Sequence, residues 1–104
     1  MNTFIPKALG TLLLAVTNAD GSIALPAGTS ALLLFNTSTT NAVWVEMNAA
    51  AVIPAVGVPG SLRIAPGAYI VIGVGATPTQ VNSLHAIASV AGPTNLEICC
   101  GSGE

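Results

Sequence analysis

Runs of Val, Ile, Leu and Ala, five to eight residues long, alternate along this chain with clusters of Gly, Pro, Asn, Ser and Thr. No helical period holds over a useful length, and short apolar runs punctuated by turn residues are the pattern of β-strands. The runs predict strands at Thr11–Thr17, Ser22–Leu25, Ser30–Asn36, Ala42–Asn48, Ser61–Ala65, Ala68–Val74, Leu84–Val90 and Leu96–Cys100. Eight short strands in 104 residues predict one all-β domain, an antiparallel β-sandwich or a jelly-roll-like barrel.

Side chains alternate across a strand, so the pattern within each run says which face is dry. Val43, Val45 and Met47 share one face against Trp44, Glu46 and Asn48 on the other; Leu62 and Ile64 oppose Ser61 and Arg63, and Leu96, Ile98 and Cys100 oppose Glu97 and Cys99. Two runs break this rule. Ala31-Leu32-Leu33-Leu34-Phe35 and Tyr69-Ile70-Val71-Ile72 are apolar on both faces, which predicts burial once in the core and once against another subunit or partner.

The punctuation adds connections. Asn18-Ala19-Asp20-Gly21 and Pro26-Ala27-Gly28 suit tight turns, Thr37-Ser38-Thr39-Thr40-Asn41 makes a polar loop, and Pro66-Gly67 fits the centre of a type II turn. The last predicts a hairpin between Ser61–Ala65 and Ala68–Val74. Ala49–Gly60 is apolar and rich in Ala and Pro, the composition of an arm lying on a neighbour rather than a free loop. Residues 1–9 read as an N-terminal arm, and Gly101-Ser102-Gly103-Glu104 as a flexible tail.

Composition sharpens the expectation of a partner. The chain is 52% hydrophobic and only 6% charged, whereas a small monomer commonly carries about a quarter to a third charged residues on its surface. A net charge of −2 leaves no basic stripe to neutralise phosphates, which argues against nucleic acid as a partner. A membrane-spanning helix is excluded by Pro54 and Pro59 in one apolar stretch and by Pro66-Gly67, Gly73 and Gly75 in the other. Four aromatics cannot form the two girdles of a membrane β-barrel. Lys7 followed by Ala8–Val16 imitates a secretion signal, but Thr11 interrupts the short run, and the segment reads as a strand. Cys99 and Cys100 are adjacent, too close for an unstrained disulfide, and read as free thiols suited to a reducing compartment.

Candidate chemistry is sparse. His85 is the only histidine, so one chain cannot build a multi-histidine metal site. A serine, His85 and one of Asp20, Glu46, Glu97 or Glu104 could compose a nucleophilic triad on paper, yet no Gly-x-Ser-x-Gly elbow surrounds any serine. A thiol paired with His85 lacks a nearby cation to lower its pKa. The four acids make no calcium loop, and Gly73-Val74-Gly75 lacks the strand-to-helix context of a phosphate loop. The expectation is no catalytic residue, no metal and no cofactor. Trp44 reads first as core packing and otherwise as a ring that stacks on a sugar or anchors a partner.

Over about residues 30–104 the chain resembles small β-rich virion proteins of tailed bacteriophages, and among them the capsid decoration, or cement, proteins. The likeness is carried by Leu34-Phe35-Asn36-Thr37-Ser38 followed by Ala42-Val43-Trp44-Val45, by Leu62-Arg63-Ile64-Ala65-Pro66-Gly67, by Ile87-Ala88-Ser89 and by Gly101-Ser102-Gly103. It implies a non-catalytic structural protein, often a homotrimer, that binds the major capsid protein on the outer lattice after synthesis in the host cytoplasm. The alternative is a carbohydrate- or receptor-binding module, or a neck, tail or spike component. Candidate interface residues are Leu33, Phe35, Trp44, Val52, Ile53, Val56 and Tyr69.

Overall fold

A computed structural model describes residues 4–74, 82–91 and 94–102. It contains eight strands: β1 (Ile5–Val16), β2 (Gly21–Ala24), β3 (Ala31–Asn36), β4 (Val43–Met47), β5 (Leu62–Ile64), β6 (Tyr69–Gly73), β7 (Ser83–Ala88) and β8 (Thr94–Ser102). They form two four-stranded antiparallel sheets, here called A, in the order β1-β8-β3-β6, and B, in the order β2-β7-β4-β5. Each sheet interleaves strands from both halves of the chain, the eight-stranded jelly-roll arrangement.

The core lies between the sheets and is supplied by the dry faces read from the alternation. Leu32 and Leu34 of β3 and Leu96, Ile98 and Cys100 of β8 meet Val43 and Val45 of β4 and Leu84, Ala86 and Ala88 of β7, all buried. Within sheet B, Val43 stands opposite Ala88 and Val45 opposite Ala86, so branched side chains face small ones and the layer closes without overpacking.

Four expectations change. The Pro66-Gly67 turn forms, with the Ala68 N–H donating to the Ala65 carbonyl at 3.1 Å and Gly67 at φ 71, but it makes no hairpin. It is a corner that carries the chain from β5 in sheet B to β6 in sheet A, because β6 is apolar on both faces and is paired with β3 instead. The N-terminal segment is not a free arm over its described part: β1 begins at Ile5, and Ile5 and Pro6 pair with Ser102 and Gly101 of the same chain. Those glycine and serine residues therefore belong to β8 rather than to a tail. A Cβ on Gly101 would run into the Ile5 carbonyl, so the missing side chain is what lets β1 lie this close. Met1–Thr3, Gly103 and Glu104 lie outside the described residues.

The Ala49–Gly60 segment also folds on its own chain. Ala51 is buried, and Val52 and Ser61 exchange hydrogen bonds, the Val52 N–H donating to Ser61 Oγ at 2.9 Å and the Ser61 N–H to the Val52 carbonyl at 2.8 Å. Ala55 and Val58 close a small turn around Gly57, which takes φ 75. Most of the segment is nonetheless exposed, with Val52 at 46%, Val58 at 52% and Val56 fully exposed at the tip.

Candidate functional site

The two outer faces differ in chemistry. On sheet A the register aligns Leu13, Glu97, Phe35 and Tyr69 in one row across β1, β8, β3 and β6, and Thr11, Cys99, Leu33 and Val71 in the next. Glu97 is the one charged side chain among these. Leu13, Tyr69 and Val71 are 60%, 67% and 53% exposed, while Leu33 and Phe35 are half-buried beside them. Rows of large apolar side chains on a solvent face are the feature that most needs a partner.

Sheet B presents one polar row and one mixed row instead. Ser22, His85 and Glu46 align across β2, β7 and β4, and Ile87, Trp44 and Arg63 align across β7, β4 and β5. Trp44 is thus a half-buried residue of an outer face and not a core residue, because it alternates with Val43 and Val45, which point inward. The Ser61 hydroxyl donates to Glu46 Oε1 at 2.9 Å and so ties the loop after β4 to this face. Beside it, Val45, Met47, Leu62, Ile72 and Leu84 line a cleft of about 280 Å³ between the sheets, with Glu46 and Ser61 among its walls. That volume is at the small end for ligand sites, which run from about 300 Å³ upward.

The seven predicted interface residues fall on different sides. Leu33, Phe35 and Tyr69 come together on sheet A; Trp44 lies on sheet B; Val52, Ile53 and Val56 lie on the β4–β5 loop. Val71 and Leu13 join the first group and were not predicted, although alternation from Tyr69 and from Thr11 would have found them.

A polar array that the sequence offered only on paper, a serine with His85 and Asp20, links residues far apart in the chain. Asp20 Oδ2 lies 2.9 Å from His85 Nδ1, and His85 Nε2 lies 3.4 Å from Ser83 Oγ. The order is that of a nucleophilic triad, and the same contacts act as a structural clamp. The Oγ to Nε2 distance is a little longer than the roughly 2.6–3.2 Å of a closed nucleophile–base pair. The Ser83 N–H, a natural oxyanion donor, is already donated to Asn48 Oδ1 at 2.9 Å. Asp20 Oδ1 meanwhile accepts the Ala51 N–H at 2.8 Å, so the array pins the loop after β4 to the turn before β2.

Solution pH tests this clamp. The Ala51 N–H and then the His85 ring hold the Asp20 carboxyl below its usual range. A carboxyl depressed on folding contributes stability above its unfolded pKa, and that contribution is lost as pH falls through the folded value. Asp20→Asn is therefore expected to lose less stability than the parent between about pH 5 and pH 2, read as urea midpoints across that interval. Equal losses would mean that Asp20 does not fasten the loop.

The thiols are free, with Cys99 half-buried on the outer face of sheet A and Cys100 in the core. Burial, and then the neighbouring Cys99, push the Cys100 thiol up, which keeps it an inert core residue. Among the described residues no group of His, Cys, Asp or Glu could hold a metal ion, and no helix is long and apolar enough to cross a membrane.

Comparison with known proteins bears on the fold. The chain is similar to a solved structure described as a de novo designed double-stranded β-helix, determined by solution NMR, with a TM-score of 0.51 and 12% identity over 86% of this chain and 96% of that one. At that identity the likeness supports the architecture alone, two sheets wound as a jelly roll. No protein-family model and no curated protein matches the sequence.

Proposed function

We propose that this chain is a non-catalytic structural subunit of a phage-type virion, a decoration protein that stabilises the outer capsid lattice by burying the outer face of sheet A. The observation that carries this reading is the pair of apolar rows containing Leu33, Phe35, Tyr69 and Val71. A face of this kind gains roughly 25 cal/mol per Å² covered, before the cost of association, and many copies on a lattice multiply a modest contact. The choice of the major capsid protein as partner rests on the family resemblance; free thiols fit assembly in a host cytoplasm.

The carbohydrate-binding reading needs Trp44 and the Thr37–Asn41 loop to be available together. Polar groups of that loop are spent internally: Ser38 Oγ accepts the Thr40 and Asn41 N–H groups, and the Thr37 hydroxyl donates to the Asn95 carbonyl. The neck, tail or spike reading uses the same apolar face on a different partner.

Cosedimentation with capsids stripped of this protein tests the proposal. The parent chain is expected to bind and to raise the temperature at which particles release their contents, whereas Leu33→Lys and Tyr69→Lys are expected to lose binding and Trp44→Ala to keep it. Retention on tail or neck assemblies instead would reassign the partner. Binding lost only with Trp44→Ala, and inhibited by sugar, would replace the proposal with the glycan reading.

A further inference from the structure

The outer edge of sheet A carries a second, independent feature: among the described residues β6 is an open strand edge without the usual protection. Natural sheets blunt their edges with charge, proline, bulges or very short strands. The other three edges here do so. β1 has Pro6, Lys7 and a register break between Pro6 and Thr11, with Leu9 at φ 55; β2 has only four residues; β5 has three and carries Arg63. By contrast Tyr69–Gly73 contains no charge and no proline, runs in unbroken register with β3, and among the described residues pairs with no other strand.

The hydrogen-bond phase tells which groups face outward. The Ala68 carbonyl accepts the Asn36 N–H at 3.0 Å, and the Val74 N–H donates to the Ser30 carbonyl at 2.8 Å, both toward β3. N–H and C=O groups alternate sides along an antiparallel strand, so Tyr69, Val71 and Gly73 direct theirs away from β3.

We propose that a second copy of this chain occupies the edge, with β6 pairing antiparallel to its twin about a twofold axis at Val71, so that the two A sheets become one eight-stranded sheet. Three observations select this occupant. The register sets Val71 opposite Val71 and Tyr69 opposite Gly73, so the outward groups of all three positions are satisfied in reciprocal pairs. A Cβ at Gly73 would meet nothing, which leaves room for the facing Tyr69 ring to cover the glycine. Finally, Glu97 lies two strands in from the edge, so the two copies of it stand about 24 Å apart across the strands at roughly 4.8 Å per spacing and about 28 Å apart with the offset along them, beyond the range of screened repulsion. The pairing also makes the apolar rows of the two copies continuous. It replaces the threefold association implied by the resemblance with a twofold one.

Light scattering of the purified full chain over a dilution series tests the pairing. The parent is expected at twice the chain mass at tens of micromolar and at the chain mass on dilution. Val71→Pro removes only an outward N–H, a change an edge strand accommodates; it is expected to keep the parent's circular dichroism and to stay at the chain mass throughout. Val71→Cys is expected to give a disulfide-linked dimer under mild oxidation, since hydrogen-bonded antiparallel partners stand about 5.5 Å apart at Cα, while Ser22→Cys on the β2 edge of sheet B and the parent are expected to give none. The crosslink decides the matter if Val71→Pro fails to fold. A parent at the chain mass at all concentrations, a trimer, or a Val71→Cys chain that does not crosslink would overturn the proposal. None of these readouts involves a capsid, so a chain that dimerises yet ignores stripped particles would overturn the virion reading alone.

Discussion

Asn36→Leu is expected to cost about 3 kcal/mol of stability, the largest loss from any single polar side chain in the domain, because it removes several internal hydrogen bonds and strands their partners at once. Asn36 is fully buried at the end of β3. Its Nδ2 donates toward the carbonyls of Asn41 at 2.7 Å, Ile64 at 3.2 Å and Ala65 at 3.3 Å, and its Oδ1 accepts the Ser38 N–H at 3.1 Å. One side chain thereby fastens the β3–β4 loop and the corner between β5 and β6. Asn36→Asp keeps the shape and replaces the donor with an acceptor aimed at carbonyls, so a buried carboxyl there would hold its proton. Its folded pKa would be raised, and stability would fall as pH rises above the unfolded value near 4. Urea unfolding of both variants between pH 3 and pH 7 is the check: Asn36→Leu should be offset downward by a constant amount, and Asn36→Asp should diverge from the parent as pH rises. A change of less than about 1 kcal/mol for Asn36→Leu would mean that the corner is held by backbone bonds alone.

These residues also show what a chain of this kind discloses in advance. The faces of β4 and β8 were legible because alternation is a local, period-two signal, and a single slip would place Val43 and Val45 in water; on β5 only Ile64 is buried, while Leu62 is 51% exposed. The allocation of strands to sheets was not. Pro66-Gly67 satisfies the same turn geometry whether it joins two paired strands or turns a corner between sheets, and only the pairing of β6 with β3 separates the cases. Asn36 likewise reads as a turn residue beside Ser38 and Thr40; its three carbonyl partners include two from residues 28 and 29 positions away. The Asp20–His85 pair spans 65 positions with no motif connecting its members.

The candidate interface was legible in part for the same reason. Leu33, Phe35 and Tyr69 could be named because their strands are apolar on both faces, a property of composition and period alone. Naming Trp44, Val52, Ile53 and Val56 beside them left open which surface each residue occupies. In the fold, β4 belongs to the other sheet, and the β4–β5 loop is tied down through Ala51, Val52 and Ser61, so those residues face elsewhere. Adjacent apolar residues in sequence say nothing about which face of which sheet they share until the topology is known.

Strand β3 permits a direct test of the division between core and interface, because consecutive leucines lie on its two sides. Leu34→Ala should cost about 3 kcal/mol, within the roughly 2–5 kcal/mol of buried leucine truncations. The side chain is completely buried among β4, β7 and β8 residues, and its removal leaves a cavity that a sheet held between β8 and β6 cannot collapse to fill. For a domain this size that loss lowers Tm by roughly 12–24 °C. Leu33→Ala removes the same atoms from the half-buried outer face and should cost under about 1 kcal/mol. The order should reverse in association: Leu33→Ala should weaken retention on particles, while folded Leu34→Ala should bind as the parent does. Equal stability losses for the two variants would mean that the outer face of sheet A supports the fold itself, and the case for a partner covering Leu33, Phe35 and Tyr69 would fall with it.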